Sequence, residues 1–343
     1  MNKDIKSFYR VYRPKQFDEV IGQEHITKTL VNQIRNGNIG HAYLFCGTRG
    51  TGKTSVAKIF ANAVNCLNFK EGKTCGVCEY CKRAAKDNLD VLELDAASNN
   101  RVEDVRELIE KVKYPPLFAK YKVYIVDEVH MFSGSAFNAF LKTLEEPPAH
   151  LIFILATTEP HKLIPTVLSR CLRFDFRSIS TAEIKKMVEK IFKKEKIIVE
   201  PEALQLIAEA GCGSARDALS FADMCNSYCD GNITARAVFD ILGAVDKKIL
   251  NGLFESILAN NIDDIIKTTD EIFLTGRNTS ALVKDFLSII KSRFIKEKDE
   301  TIGEIFRLFA ELEQNIKNAT DAANMFQSAC LIASEVIKKK MIK

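Results

Sequence analysis

Short apolar runs alternate with segments of helical periodicity over the first part of the chain. The runs that predict strands are residues 41–46, 90–94, 123–126, 151–157 and 172–176. The segments that predict helices between them include residues 51–65, 102–113 and 135–145. Some of the runs are almost entirely apolar, which is typical of strands buried on both faces. This alternation predicts an α/β domain over residues 1–178, with a parallel sheet and helices on both of its faces.

Beyond residue 178 the strand pattern gives way to amphipathic helices. Thr181, with the acid Glu183 in the first turn after it, predicts the start of one helix. Pro201 predicts the first turn of the next, because proline is tolerated where the backbone N–H has no helical partner. We interpret residues 179–243 as a small helical lid and residues 244–343 as a separate all-helical domain.

A glycine-rich sequence follows the first predicted strand and opens the next predicted helix. It consists of Gly47, Thr48, Arg49, Gly50, Thr51, Gly52, Lys53 and Thr54, and Ser55 continues the helix. Such a loop turns backbone N–H groups toward nucleotide phosphates at a positively polarised helix N-terminus. Lys53 would add a charge on the terminal phosphates, and the Thr54 hydroxyl would bind Mg²⁺. A chance glycine-rich turn is the alternative, and the strand, loop and helix context disfavours it.

The strand predicted at 123–126 ends in two acids, Asp127 and Glu128. Beside a phosphate loop, Asp127 is predicted to hold the Mg²⁺ shell, and Glu128 to orient and polarise the attacking water. Phosphoryl transfer depends on positioning and charge neutralisation rather than on covalent catalysis, so these few groups are sufficient. In isolation the same pair would be an ordinary acidic strand end. After a phosphate loop, it predicts Mg²⁺-dependent ATP hydrolysis.

Further polar residues follow the phosphate motifs in order. Thr157 and Thr158 end an apolar strand and are suited to hydrogen-bond a γ-phosphate or a water molecule. Arg170, in a Ser-Arg-Cys sequence, has no evident partner within its own subunit. Arg216 lies at the start of a lid helix. Either arginine alone would be typical of a surface ion pair, and their position after the phosphate motifs makes them candidate nucleotide contacts.

Four of the ten cysteines are close together in the sequence: Cys66, Cys75, Cys78 and Cys81. Their spacing predicts a closed structural zinc site with four thiolate ligands and no open position for catalysis. Reduced cysteines without metal are the alternative, and a redox role fits less well because the C-x-x-C pairs overlap. The remaining cysteines are predicted to be buried small apolar residues: Cys46, Cys171, Cys212, Cys225, Cys229 and Cys330.

Composition and charge add little to this picture. A hydrophobic content of 46% and a charged content of 27% are ordinary for globular proteins. The net charge of +4 is compatible with a nucleic-acid partner but does not argue for one. Residues 1–17 are polar and basic, and no apolar run approaches the length of a membrane span. We therefore expect a cytoplasmic protein with no membrane partner.

Taken together, the motifs resemble the AAA+ ATPases of bacterial clamp loaders, in particular the gamma/tau family of DNA polymerase III. The resemblance is clear over about residues 6–243 and weaker over the remaining helices. Besides the phosphate motifs and the Ser-Arg-Cys sequence, it is carried by residues 9–23, 94–98 and 145–148. The cysteine cluster is its most discriminating feature, because generic AAA+ proteins lack this insertion.

The resemblance implies roles that the residues alone do not assign. The residues implied to belong to the segment over the nucleotide base are Tyr9, Arg10, Val20 and Ile21. Thr158 is implied to be sensor 1, and Arg216 to be sensor 2, which closes the lid on the γ-phosphate. Arg170 is implied to act in trans, as an arginine finger that completes the ATP site of a neighbouring subunit.

The resemblance also implies a biological role, in the cytoplasm at the replisome. ATP binding and hydrolysis would open a sliding clamp and load it onto primed DNA, while another chain carries the polymerising chemistry. The implied partners are the clamp, DNA and other clamp-loader subunits, in a hetero-pentameric ring with further copies of this chain. Residues 244–343 would form the collar of that ring, although their apolar positions fit a self-contained bundle core equally well. Longer family forms carry further regions, so this chain is a natural short form or a shortened one.

Two other functions fit part of the pattern. A non-hydrolysing subunit of the same assembly would keep the cysteines and Arg170, but Lys53, Thr54 and the two acids argue against it. A AAA+ helicase, such as a branch-migration motor, is disfavoured by the cysteine insertion. Helix starts near residues 99–101 and 133–137 are suited to contact DNA phosphates, and solvated helix ends explain them equally well.

Overall fold

The computed structural model describes residues 7–86, 88–242, 247–274, 279–316, 319 and 321–341. The chain divides into two compact units, Met1–Ile233 and Thr234–Lys343, which we describe separately. The first unit contains a five-stranded sheet and a helical lid. The described residues of the second unit form helices.

The predicted parallel sheet is confirmed. Its strands are β1 (Ala42–Cys46), β2 (Val91–Asp95), β3 (Lys122–Asp127), β4 (Leu151–Thr157) and β5 (Leu172–Asp175). They lie in the order β2-β3-β4-β1-β5, and every neighbouring pair is parallel. In the register, Cys46 pairs with Thr157 and Asp95 pairs with Asp127. The carboxyl ends of four strands therefore meet at one edge, where ligands bind in open α/β sheets.

Helices cover both faces of this sheet, as predicted. The helices of the first unit are α1 (Phe8–Val11), α2 (Glu24–Arg35), α3 (Lys53–Asn65), α4 (Glu79–Ala84), α5 (Val102–Val112), α6 (Gly134–Glu145), α7 (Pro165–Leu168), α8 (Thr181–Glu195), α9 (Pro201–Ala210) and α10 (Ala215–Cys229). Alternate residues of each central strand face opposite sides. Leu44 and Phe153 pack in a core with α5 and α6, whereas Phe45 and Ile154 pack in a second core with α2 and α3.

The lid consists of α8, α9 and α10. The first of these begins at Thr181, but its N-cap is Ser180, one residue before the Thr181 cap that the sequence predicts. Ser180 exchanges hydrogen bonds with Glu183 in a capping box. The expectation that strands end at residue 178 is wrong in one detail. Two short strands, β6 (Ile198–Val199) and β7 (Asn232–Ile233), form a parallel pair. Two residues are too few to show strand periodicity in the sequence.

The N-terminal helix α1 packs against the lid. The Phe8 ring is buried and meets the Phe192 ring of α8 edge to face, with 6.3 Å between centroids. Tyr12 hydrogen-bonds Glu195 at the end of α8. This contact joins residues far apart in the sequence, and it places the N-terminal segment beside the carboxyl edge of the sheet.

The second unit is a helical bundle with its own core. Its helices are α11 (Ala235–Leu242), α12 (Lys247–Leu258), α13 (Ile262–Leu274), α14 (Thr279–Glu297), α15 (Glu300–Asn315) and α16 (Ala322–Met341). Phe286, Phe309 and Phe326 are fully buried and pack edge to face against one another. The helix α11, predicted as part of the lid, groups with this unit. The three-domain boundaries predicted from the sequence stay a prediction. Among the described helices, none is long and apolar enough to span a membrane.

The scattered cysteines are mostly shielded from solvent. Cys46, Cys225 and Cys330 are buried, and Cys171 and Cys229 are half-buried. Burial raises the pKa of the buried Cys46 thiol to about 11, so it is a neutral apolar group at neutral pH. The prediction of burial is wrong for Cys212, which is exposed in the turn between α9 and α10.

Candidate nucleotide site and metal cluster

A cavity of about 890 Å³ lies at the carboxyl edge of the sheet, within the first unit. It is bounded by the N-terminal segment, the glycine-rich loop, the ends of β2 and β3, and the start of α10. The predicted site residues that line it are Tyr9, Val20, Ile21, Arg49, Gly50, Thr51, Gly52, Lys53, Thr54, Ser55, Asp127, Glu128 and Arg216. Of the predicted nucleotide contacts, all of which the structure describes, five do not line it: Arg10, Gly47, Thr48, Thr158 and Arg170. This volume accommodates a small-molecule ligand.

The glycine-rich loop needs glycine where it touches neighbouring segments. Gly47 has φ +148°, and a Cβ there would lie 2.6 Å from the carbonyl oxygen of Phe176. Gly50 has φ +78°, and a Cβ there would lie 1.8 Å from Ser214 Oγ of the lid. The Ala215 N–H donates to the Gly50 carbonyl at 3.1 Å. The loop and the first turn of α10 are therefore in direct contact.

Lys53 lies at the start of α3 with only 5% of its surface exposed. Its ammonium donates to the carbonyls of Gly47 at 2.8 Å and Thr48 at 2.9 Å. Burial lowers the pKa of this ammonium, while the carboxylates of Glu128 and Asp127 oppose that shift. Phosphate oxygens are stronger acceptors than carbonyls, so the same ammonium can move onto a phosphate that enters the loop.

Thr54 and Asp127, the predicted magnesium ligands, lie in direct contact. The Thr54 hydroxyl donates to Asp127 Oδ2 at 2.7 Å, and Asp127 Oδ1 accepts from the Glu128 N–H at 3.1 Å. Hydroxyl and carboxylate oxygens are hard ligands of the kind that Mg²⁺ prefers, and Mg²⁺ is usually held by one or two such groups plus substrate phosphates. The two side chains therefore fit the ion. Asp95, opposite Asp127 in the sheet, also lines the cavity and was not predicted.

Glu128 is held in an unusual backbone conformation. Its φ of +48° lies in the left-handed region, which costs of order 1–3 kcal/mol for a residue with a side chain. Its Oε2 atom accepts from the Thr158 N–H at 3.1 Å and from the Thr158 hydroxyl at 2.9 Å. The structure therefore brings together the two residues predicted to act on water and on the γ-phosphate. Strain of this kind is concentrated at functional sites.

His130 is a buried member of the same cluster that sequence reasoning missed. Its side chain is only 6% exposed, and its Nδ1 lies 3.0 Å from Thr157 Oγ1 and 3.4 Å from Glu128 Oε2. Its Nε2 lies 3.1 Å from Glu159 Oε2. The available signal was its position two residues after Glu128, but only the fold shows that it faces the end of β4.

The lid arginine and the N-terminal segment meet at the cavity. The Arg216 guanidinium lies over the Tyr9 ring, 5.3 Å from its centroid. Arg10 Nε donates to the Tyr9 hydroxyl at 3.0 Å and lowers its pKa. Arg13, which was not predicted, also lines the cavity, and its Nε donates to Ser55 Oγ at 3.1 Å. Three elements distant in sequence thus surround the mouth of the phosphate loop.

Arg170 lies away from these residues. The expectation that it has no partner in its own subunit is wrong, because its guanidinium forms an ion pair of 2.6 Å with Glu145 at the end of α6. It precedes Leu172, which pairs with Tyr43 near the start of β1, whereas the phosphate loop follows the end of β1. Arg170 therefore lies at the amino edge of the sheet, opposite the loop of its own chain.

The four predicted zinc ligands converge. Their sulfur atoms all lie within 4.8 Å of one another, with Cys75 Sγ 4.0 Å and Cys66 Sγ 3.7 Å from Cys81 Sγ. A tetrahedral zinc with Zn–S bonds of about 2.3 Å requires sulfur separations of about 3.8 Å. Backbone N–H groups of Val77 and Cys78 stabilise the thiolate of Cys75 and lower its pKa. The cluster therefore fits a zinc ion.

The cysteine cluster is joined to the N-terminal segment. The Gln16 side chain exchanges hydrogen bonds with the Thr74 backbone and hydroxyl at 2.8 to 3.2 Å. Lys73 forms an ion pair of 2.8 Å with Asp18. These contacts fix residues 16–18, which directly precede Val20 and Ile21 at the cavity.

Three family models of DNA polymerase III match successive parts of the chain. The delta subunit model matches residues 22–180, and the ATPase lid domain model of the clamp loader subunit matches residues 183–231. The model of domain III of the gamma and tau subunits matches residues 233–328. In the solved structures, the RuvB Holliday junction branch migration motor of Thermotoga maritima is similar, with a TM-score of 0.53 and 19% identity. That match covers 72% of this chain and 79% of the other, and it shows the shared fold.

Curated relatives carry the same assignment. DNA polymerase III subunit tau of Bacillus subtilis is 47% identical over 283 residues, which cover 82% of this chain and 50% of that protein. Subunit tau of Escherichia coli is 43% identical over 282 residues, which cover 82% of this chain and 44% of that protein. The chain spans about half the length of these relatives. With the family models and the site geometry, they show that the chain belongs to the gamma/tau family of DNA polymerase III subunits.

Proposed function

We propose that this chain is an ATPase motor subunit of the DNA polymerase III clamp loader. The proposal rests on four side chains that line the cavity beside the phosphate loop: Lys53, Thr54, Asp127 and Glu128. A subunit that only supports the assembly has no need of this set. ATP binding and hydrolysis would drive the opening of a sliding clamp and its loading onto primed DNA.

The geometry supports a division of labour among these residues. The N–H groups of the loop and the Lys53 ammonium would bind the β- and γ-phosphates. Thr54 and Asp127 would hold Mg²⁺, which supplies charge neutralisation on the phosphates when bound. Glu128 would accept a hydrogen bond from the attacking water and align its oxygen with the γ-phosphorus. The water would transfer a proton to Glu128 as the new P–O bond forms and the bond to the bridging β–γ oxygen breaks, giving ADP and inorganic phosphate.

The N-terminal segment and the lid would complete the nucleotide site. Tyr9, Val20 and Ile21 line the cavity and are suited to cover the base. Arg216 would leave the Tyr9 ring and contact the γ-phosphate as the lid closes. Its helix α10 already contacts the phosphate loop at Gly50, so the arginine is close to where the phosphates would bind. The zinc ion would be structural, since its four ligands leave no open coordination position.

The partners follow from the family rather than from the geometry. We infer a hetero-pentameric ring of clamp-loader subunits, including further copies of this chain, that acts on the sliding clamp and primed DNA in the cytoplasm. Arg170 would enter the ATP site of a neighbour, and the second unit would form the collar. The N-termini of α5 and α6 follow β2 and β3 at the carboxyl edge, and they are suited to contact DNA phosphates.

The proposal is tested by ATP turnover of the chain assembled with partner subunits, sliding clamp and primed DNA. We expect Lys53→Ala to abolish ATP binding, because the ammonium supplies charge-assisted hydrogen bonds of about 1.5–3 kcal/mol each. Lys193→Ala, on the exposed face of α8, is the matched control and should bind and hydrolyse ATP normally. Turnover that does not depend on Lys53, or that unwinds DNA without loading a clamp, would contradict the proposal.

A further inference from the structure

His130 occupies the gap between the ends of two neighbouring strands. It lies in the 3₁₀ turn Val129–Met131, directly after Glu128. The strands β3 and β4 are paired up to Val126 and Leu155. Beyond that pair the ladder between them ends, and side chains bridge Glu128 and the end of β4. The buried imidazole of His130 is one of those side chains.

Two polar contacts join this imidazole to the end of β4. Nε2 lies 3.1 Å from a carboxylate oxygen of Glu159, which can only accept, so Nε2 carries the hydrogen. Thr157 Oγ1 already accepts from the Glu159 N–H at 3.0 Å. The Thr157 hydroxyl lies 3.0 Å from His130 Nδ1, and a hydroxyl can act there as donor or as acceptor. His130 therefore bridges Thr157 and Glu159.

The same cluster touches both halves of the catalytic site. The Thr157 carbonyl accepts from the Gly47 N–H at 3.2 Å, which joins the end of β4 to the start of the phosphate loop. The next residue, Thr158, donates two hydrogen bonds to Glu128. His130 Nδ1 also lies 3.4 Å from the same Glu128 oxygen, Oε2. Thr158 and His130 therefore both lie against the Glu128 carboxylate.

We propose that His130 is a positioning residue for ATP hydrolysis. It locks the end of β4, through Thr157 and Glu159, at the distance from which Thr158 holds the Glu128 carboxylate toward the attacking water. The inference deepens the proposed function and rests on it. A misplacement of about 1 Å in such an arrangement can lower a rate by about a hundredfold. Since His130 does not line the nucleotide cavity, its loss should affect the rate of hydrolysis and leave the affinity for ATP unchanged.

Three substitutions separate positioning from simple packing. His130→Ala removes both contacts, His130→Asn can keep an acceptor for the Thr157 hydroxyl, and His130→Gln can keep a donor to Glu159. In the assembled loader we expect His130→Ala to lower kcat at least tenfold, with the Kd for ATP within about twofold of wild type. At least one amide variant should recover most of the rate. His161→Ala is the matched control, because His161 is 73% exposed and lies 4.0 Å from the same Glu159.

The outcomes distinguish this inference from the function on which it rests. If wild-type turnover does not depend on Lys53, the proposed function itself fails. If it does, and His130→Ala turns over normally, only the positioning role fails. The role also fails if His130→Ala loses ATP binding and thermal stability together with kcat and neither amide variant restores the rate. A loss of kcat alone, with recovery by an amide and no effect at His161, supports it.

Discussion

Glu128 has a strained backbone and contacts the end of β4, and its carboxylate is the group that we propose to polarise the attacking water. Glu128→Gln keeps the shape of the side chain and its contact with Thr158, but it removes the negative charge that polarises water. Lys53, Thr54 and Asp127 are untouched, so ATP should still bind. We expect turnover to fall at least about a hundredfold, the usual scale for loss of a general base.

The measurement is phosphate release under single-turnover conditions, with binding of a fluorescent ATP analogue in parallel. Glu202→Gln, in the exposed first turn of α9, is the control and should match wild type. A Glu128→Gln protein that hydrolyses ATP at the wild-type rate would show that another group orients the water.

For single residues, the sequence was most informative where consecutive residues of the chain form one part of the site. Lys53 and Thr54 could be predicted because a phosphate loop is built from consecutive backbone groups. Asp127 and Glu128 could be predicted because they end a recognisable buried strand. His130 could not, because its role depends on how closely two strand ends approach. The partner of Arg170 was missed for the same reason, since Glu145 meets it only in the folded chain.

Among the elements, the contact between the phosphate loop and the lid gives a sharp prediction. Gly50→Ala places a methyl group 1.8 Å from Ser214 Oγ, on a backbone with φ +78°. We expect the lid helix α10 to be displaced and ATP binding to weaken at least tenfold, because Arg216 follows Ser214 by two residues. Gly37→Ala is the control, with a similar φ of +69° but no atom within 4 Å.

The two variants separate strain from collision. Both carry the cost of a left-handed alanine, about 1–2 kcal/mol, which thermal unfolding should detect in each. Only Gly50→Ala should also lose affinity in a titration with ATP. Equal ATP affinity in the two proteins would mean that the loop and lid contact is not needed for binding.

The cysteine cluster is the second element whose role can be tested alone. We expect purified protein to hold one zinc ion per chain after loosely bound metal is removed. Cys75→Ser should lower the zinc content and the melting temperature together, because structural zinc contributes directly to folding. Cys212→Ser is the control, as that thiol is exposed and outside the cluster. Full zinc occupancy in Cys75→Ser would remove this thiol from the ligand set.

Long apolar runs made the strands of the sheet predictable to within about two residues, as boundaries usually are. The strands β6 and β7 were missed because two residues carry no period. The packing of α1 on the lid could not be predicted either. A four-residue helix is not stable alone and depends on tertiary contacts such as that between Phe8 and Phe192. The sequence could place the motifs on elements but not the elements against one another.

For the whole molecule, the groups that we propose for catalysis lie at opposite edges of the sheet. The phosphate loop lies at the carboxyl edge and Arg170 at the amino edge. The two edges are about 13 Å apart along β5, which has four residues at about 3.3 Å per residue. Although this distance is short, the Arg170 guanidinium pairs with Glu145 at its own edge. A chain arranged in this way can offer its arginine to a neighbour while its own loop receives one.

This arrangement predicts that Arg170→Ala binds ATP normally as an isolated chain and fails to hydrolyse it in the assembled loader. An arginine finger is worth roughly 10³ to 10⁵ in rate, so the loss should be nearly complete. Arg173→Ala is the matched control, because Arg173 also forms an ion pair with a carboxylate, that of Asp175. Mixing the Arg170→Ala chain with a Lys53→Ala chain gives the decisive measurement. If the finger acts in trans, an interface that joins an intact loop to an intact arginine recovers turnover, whereas a finger that acts in cis leaves each mixed assembly inactive.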